Sequence, residues 1–257
     1  MTTLRSLLFA LVLAFVTPPF ALIGLCIGPL APMTRYRILT KWTDITLWFV
    51  WHLLGIRFRV IGRENLPARP GVILCKHQSA WETMALQHVF PAICFVLKKE
   101  LLRVPFFGWG LSRMPMIAID RAAGKDALAQ VLEQGTRRLA EGFWVVVFPE
   151  GTRVAPGTTR RYKPGGGWLA HKAGVPVIPV AHNAGEFWRR NAFIKYPGEI
   201  IVSIGPSIDG AAHSAEAINT QARNWIEGEM KRLFPHHYRG AAGSVEGSAA
   251  AGEDEEG

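Results

Sequence analysis

Two short stretches of the chain combine residue types at spacings that could do chemistry. The first is Lys76-His77-Gln78-Ser79-Ala80-Trp81-Glu82, directly after the apolar run Val72-Ile73-Leu74-Cys75. A strand that runs into a histidine, followed by a helix start with Ser79 as N-cap, is where open α/β sheets place active sites. The spacing lets Glu82, in the first turn of that helix, fold back onto the His77 imidazole. A carboxylate bonded to one ring nitrogen fixes the tautomer, so the other nitrogen can accept a proton near neutral pH. The pattern is not that of a zinc protease, which needs two histidines on one helical face.

The second stretch is Phe148-Pro149-Glu150-Gly151-Thr152-Arg153, at the end of the most apolar run of the chain. Gly151 permits backbone conformations that other residues resist. Arg153 offers a planar fork of donors suited to phosphate oxygens, and Glu150 could accept from a hydroxyl or hold the arginine. Arg160, Arg161 and Lys163 then lead into Gly165–Gly167, which reads as a flexible basic loop. Spacing alone leaves a plainer reading open for both stretches: an exposed His/Glu pair, and a Pro-Gly turn with solvated charges.

The elements that must position these residues follow an α/β rhythm from Arg57 onward. Strand-like runs lie at 58–62, 71–76, 92–97, 116–120, 143–148, 175–181 and 199–205. Several are continuously apolar, as strands covered on both faces are. Helical periodicity marks 126–141, stopped by Gly142, and 214–233. The expected fold is α/β, with a largely parallel or mixed central sheet flanked by helices over residues 57–240. There is no GxGxxG or P-loop, so the usual nucleotide fingerprints are missing.

Residues 1–56 read differently. No charged residue occurs from Ser6 to Thr34, a stretch long enough to cross a bilayer, but Pro18 and Pro19 split it. A kinked spanning helix, a re-entrant or interfacial hairpin and a secretory signal all stay open. Trp42–Ile56 is apolar nearly all round, which means burial in protein or in lipid. Arg35, Arg37 and Lys41 between the two stretches would put the remainder in the cytoplasm if the first one spans. Residues 1–56 are thus expected to be a membrane-anchoring helical segment, with the α/β domain keeping its site without them. Trp109 and Trp168 read as core.

Composition narrows the partners. The chain has 257 residues, 49% hydrophobic and 19% charged, with mean hydropathy +0.15. That fills a core and excludes wholesale disorder. Three cysteines without zinc-like spacing exclude a disulfide scaffold. The net charge of +9 includes five acidic residues in 241–257, which reads as a disordered tail, so residues 1–240 carry +14. A body that basic suits an anionic membrane surface or phosphorylated substrates; its apolar content disfavours nucleic acid.

Taken together and in order, four blocks resemble the glycerolipid acyltransferase family. They are His77-Gln78-Ser79-Ala80-Trp81-Glu82; Lys98-Lys99-Glu100-Leu101 with Ile119-Asp120-Arg121; Phe148–Arg153; and Val175-Pro176-Val177-Ile178-Pro179-Val180. The resemblance spans roughly residues 57–210 and is nearest to the bacterial lysophosphatidate acyltransferases of phospholipid biosynthesis. It implies that His77 is the general base on the sn-2 hydroxyl of 1-acyl-sn-glycerol 3-phosphate, with Glu82 orienting it. The donor would be acyl-coenzyme A or acyl-carrier protein. The resemblance also implies that Lys98, Arg121, Glu150, Gly151, Thr152 and Arg153 bind the acceptor's phosphate and glycerol, with no metal or prosthetic cofactor. Its setting is an inner membrane, catalytic domain toward the cytoplasm. Two positions depart from the pattern: Glu82 stands where the family usually has Asp, and Pro115 where glycine is common. Acylation of another acceptor, such as glycerol-3-phosphate or a lyso-ornithine lipid, uses the same His-carboxylate pair. A catalytically silent lipid-binding protein is the rival of a different class.

Overall fold

All seven runs marked in the sequence form strands in the computed structural model, which describes residues 1–120 and 122–238. They are β1 (Ile56–Ile61), β2 (Val72–Cys75), β3 (Ile93–Lys98), β4 (Ile117–Ile119), β5 (Trp144–Val147), β6 (Val177–His182) and β7 (Gly198–Ile204). The sheet order is β1-β7-β6-β2-β5-β3-β4. Every neighbouring pair is parallel except β6 with β7. The sheet is therefore mixed, and its parallel part holds the central strands. β2 and β5 are buried along their whole length, which is why they read as unbroken apolar runs rather than as alternation.

The helices are α1 (Thr2–Cys26), α2 (Pro32–Leu39), α3 (Lys41–His52), α4 (Trp81–Val89), α5 (Phe107–Arg113), α6 (Lys125–Ala140), α7 (Gly165–Ala173), α8 (Ala184–Phe187) and α9 (Ala215–Leu233). Ser214 caps α9 by accepting from the Ala217 N–H. Gly165–Gly167 do not form a flexible loop; they open α7. A Cβ at Gly166 would stand 2.4 Å from Leu74 Cδ2, and one at Gly167 2.6 Å from the Ala215 carbonyl. These glycines exist for close packing of α7 on β2 and α9.

The amino-terminal stretch forms one continuous helix through Pro18 and Pro19, not a hairpin. It is long and apolar enough to cross a membrane. One stripe of it, Ser6, Phe9, Leu13, Thr17, Ala21 and Gly24, docks on the rest of the protein. Ser6 Oγ accepts from the Lys195 N–H at 2.9 Å, Phe9 meets Trp188 edge-on at 5.5 Å, and Thr17 Oγ1 accepts from Trp42 Nε1 at 3.2 Å. Contacts along both halves explain how the helix survives two prolines that each remove a backbone donor. The opposite face, with Leu4, Leu8, Leu11, Phe15 and Leu22, stays exposed. Trp48 and Trp51 of α3 are exposed too, and so are Phe106, Phe107 and Trp109 at α5, which corrects the expectation that Trp109 is core. Arg121 and the acidic segment 241–257 lie outside the described residues.

Candidate active site

The strand order 2-5-3-4 decides the site. Because these four strands are parallel neighbours, their carboxyl ends share one edge of the sheet. His77 follows β2, the Phe148–Arg153 block follows β5, and Lys98 ends β3. Residues far apart in sequence thus stand side by side, in the position where open α/β sheets bind ligands.

His77 Nδ1 lies 2.8 Å from Glu82 Oε1. That same oxygen accepts the Gln78 N–H at 2.8 Å and the Ser79 N–H at 2.7 Å. Glu82 is fully buried as the second residue of α4. The N-cap is Ala80 rather than Ser79; Ser79 Oγ still accepts the Trp81 N–H at 3.2 Å. The helix starts one residue later than expected, and the longer glutamate stem reaches back across the turn. Burial pushes the Glu82 carboxyl up, but His182 behind it, the bond to His77 and the Ser79 N–H together hold it below its ordinary value. An ionised partner on Nδ1 leaves Nε2 as the proton-accepting nitrogen. The ring itself is stacked on Phe148, centroids 3.9 Å apart and planes within 15°.

A cavity of about 460 Å³ opens beside His77, within the roughly 300–1,000 Å³ of ligand pockets. Lys98 and Arg153 line it together with His77, and most of the remaining wall is apolar. Leu13, Thr17, Phe20 and Ala21 of α1, then Leu39, Trp42 and Thr43, form one side; Phe107, Gly110 and Leu111 of α5 form another. Residues 1–56 therefore share the cavity wall with the α/β domain, which supplies His77, Lys98 and Arg153.

Glu150 does not face this cavity. It is buried, and its Oε2 accepts the His77 backbone N–H at 2.8 Å while Oε1 stands 2.8 Å from Lys76 Nζ. Lys76, fully buried, also reaches Glu227 Oε1 of α9 at 2.8 Å and the Thr158 carbonyl at 3.1 Å. Burial pulls the Lys76 ammonium down, but the two carboxylates outweigh it and hold the group charged. For Glu150 the balance goes the other way: burial raises its carboxyl despite Lys76. His182, at the end of β6, sets its Nε2 2.7 Å from the Lys76 carbonyl, and its Nδ1 accepts the Ala184 N–H. A ring that donates at one nitrogen and accepts at the other is neutral, in keeping with the burial that lowers its pKa.

The structure thus brings His77, Glu82, Lys98 and Arg153 together and turns Glu150 to the far side of the His77 peptide. Gly151, at φ +69°, shapes the turn after it, packed against the Lys163 side chain; Thr152 is half-buried and not part of the cavity wall. Arg121 falls outside the described residues. Sequence reasoning missed Lys76 and Glu227, and gave His182 a core or surface role; it is buried. A lysine closing a wholly apolar strand was the available signal, since a buried ammonium requires carboxylate partners. Cys75 is inert: burial pushes its thiol well above the ordinary value.

Comparison with known proteins gives a consistent picture. The family described as Acyltransferase matches residues 57–183. A 1-acyl-sn-glycerol-3-phosphate acyltransferase of Pseudomonas aeruginosa is 42% identical over 92% of this chain and 94% of its own length. The enzyme of the same name from Borreliella burgdorferi is 32% identical over 64% of this chain and 65% of its own. The crystal structure of the 1-acyl-sn-glycerophosphate acyltransferase PlsC from Thermotoga maritima superposes with a TM-score of 0.75, covering 90% of this chain and 95% of that one, at 22% identity. At that identity the likeness speaks for the fold.

Proposed function

Since this chain belongs to the acyltransferase family, we propose that it acylates the sn-2 hydroxyl of 1-acyl-sn-glycerol 3-phosphate, giving phosphatidic acid. The observation that carries the reading is the His77–Glu82 pair, 2.8 Å apart, at the rim of an apolar cavity that also holds Lys98 and Arg153. His77 Nε2 takes the proton of the sn-2 hydroxyl as that oxygen attacks the thioester carbonyl of the acyl donor. The tetrahedral intermediate then collapses, the carbon–sulfur bond breaks, and the imidazolium returns its proton to the thiolate. Glu82 holds the ring through Nδ1 and stabilises its charged form in both steps.

Lys98 and Arg153 meet the acceptor's phosphate, since a phosphomonoester leaving water requires several charged donors. The apolar wall from α1, α3 and α5 takes an acyl chain. A thioester is already activated, so the reaction requires no prosthetic group. Glu150 serves by holding the His77 peptide, not by touching glycerol.

The acceptor is a lipid, and the exposed apolar faces of α1, α3 and α5 adjoin the cavity that would take it. These faces would sink into the cytoplasmic leaflet of the inner membrane, with the basic body attracted to anionic headgroups. A transfer assay offering lysophosphatidate, glycerol-3-phosphate and a lyso-ornithine lipid in parallel tests the acceptor. Preference for lysophosphatidate is expected, and preference for an acceptor without phosphate would overturn the role of Lys98 and Arg153. Washing membranes with about 1 M salt, where screening reaches about 3 Å, should leave the protein bound. Quantitative release without detergent would sink the apolar docking.

A further inference from the structure

A second group of polar side chains lies where the carboxyl-terminal 3-10 turn Pro235–His237 meets α8. His237 Nε2 is 2.9 Å and His236 Nε2 3.5 Å from one atom, Glu186 Oε1. The three side chains' donor atoms lie within 4.8 Å of one another. Glu186 Oε1 and His237 Nε2 are both shut off from solvent and stand at ion-pair distance, 2.9 Å, without the alignment of a hydrogen bond.

Three donor atoms that converge on one point, two imidazole nitrogens and a carboxylate oxygen, are what a metal site requires. Ligands about 2.0–2.1 Å from a tetrahedral ion stand roughly 3.3 Å apart, and the observed 2.9 and 3.5 Å straddle that value. Two imidazoles and one carboxylate form a borderline donor set that suits zinc and its neighbours rather than magnesium or calcium. We propose that Glu186, His236 and His237 bind a divalent cation of the zinc class. His236 is the most exposed of the three, with 55% of its side chain open to solvent.

The ligands are mounted on short helical turns. The Glu186 N–H donates to the Asn183 carbonyl at 3.0 Å and the His237 N–H to the Phe234 carbonyl at 3.1 Å. Gly157, at φ +79°, admits the His237 carbonyl so closely that a Cβ there would stand 2.4 Å from it. A bound ion would therefore pin the end of α9 to α8 and, through Gly157, to the segment that follows Arg153. None of the three ligands lines the cavity, so the site stands apart from acyl transfer and holds whether or not that reading does.

The test uses the untagged full-length chain in detergent, stripped of metal and titrated with Zn²⁺ against a competing chromophoric chelator. The expected result is one ion per chain, with a zinc-dependent rise in unfolding temperature, and with Co²⁺ giving the visible bands of a four-coordinate centre. Glu186→Gln, His237→Gln and His236→Gln should each weaken uptake by no less than the roughly 10- to 100-fold that loss of an outer-shell partner costs. His171→Gln, at a histidine whose Nδ1 lies 2.9 Å from the His213 carbonyl, should leave it unchanged. The metal-free unfolding temperature of each variant separates lost ligation from lost folding, and half-exposed His236 is the substitution least able to disturb the core. No saturable uptake, or uptake that survives the three ligand substitutions, overturns the site and leaves an ordinary His–carboxylate contact.

Discussion

The peptide that carries His77 is flanked by two regions of opposite construction. In front of it the cavity is apolar, with Lys98 and Arg153 set into its wall and no ion-pair partner for either among the described residues. Behind it Lys76, Glu150, Glu227 and His182 form a cluster almost closed to solvent, in which each charge faces another. The difference teaches that charge has two uses here. Cations left unpaired at the front are available to a ligand. Ions paired at the back are unavailable to any ligand, and they fix the His77 backbone from which the imidazole is aimed. Variants on the two sides should therefore fail in different ways.

The largest effect is expected where the two regions meet. His77→Ala should reduce turnover about 100- to 10,000-fold while the protein stays folded, because it removes the proton acceptor. Wild-type turnover in a folded variant would dissolve the comparison altogether. At the back, Lys76→Met strands two buried carboxylates, and breaking such a pair costs about 3–5 kcal/mol, read by denaturant unfolding. Glu150→Gln should cost less, since an amide oxygen can still accept the His77 N–H. Equal stability of the lysine variant and the wild type would show that the cluster is wetter than its burial implies.

At the front the expected order is reversed, with binding hurt and stability spared. Arg153→Ala should raise the KM for lysophosphatidate about 10- to 150-fold, the equivalent of a charge-assisted bond worth roughly 1.5–3 kcal/mol. Lys98→Ala should be a milder case. A rise confined to the KM of the thioester donor would move the arginine to the donor's phosphates. Glu82→Asp probes the join more gently. The shorter stem has to give up one of three contacts now at 2.7–2.8 Å, a loss of up to about 1.5 kcal/mol, or about tenfold in rate. Full activity with Asp would mean that the helix start adapts to either length.

The smallest effect is a slope with pH. His182 is lowered by burial from its ordinary 6.5, so below that pH the unfolded chain binds a proton that the folded one refuses, and stability falls as pH falls. Glu82, held below 4.5, acts in the same sense further down: its contribution is present above 4.5 and lost as pH drops through its folded value. Glu150, raised by burial, opposes both above 4.5. His182→Gln should flatten the decline of unfolding temperature just below pH 6.5. An unaltered slope would place the titrating group elsewhere.

Much of this arrangement is legible in the sequence, and the unread parts share a cause. Continuous apolar runs located the central strands β2 and β5, because a strand covered on both faces has no polar side to interrupt it. Helix α9 was readable over 214–233 from its own periodicity, a local signal. Glu82 could be paired with His77 because five residues across a strand-to-helix turn is a local distance. Gly165–Gly167 were misread because glycine signals freedom in a sequence, whereas here it answers to Leu74 and the Ala215 carbonyl, neighbours that only packing supplies. Trp109 was misassigned likewise, since apolar residues mark an exposed surface patch as readily as a core.

What the sequence determined by itself was the chemistry on offer: a histidine with a carboxylate in reach, an arginine block after a second strand, and an apolar amino terminus. All of these rest on interactions within a few residues. Only the tertiary structure decided which side of His77 each charge occupies. The order β2-β5-β3 put Lys98 and Arg153 on the wall of one cavity, and the parallel register of β2 and β5 carried Glu150 behind the His77 peptide. Glu227, on the last helix, closed the cluster around Lys76, and α1, from the opposite end of the chain, became a wall of the cavity. Contacts between residues 151 positions apart, as Lys76 and Glu227 are, leave no periodic trace in sequence, because their partners are chosen by the fold and not by the chain's local geometry.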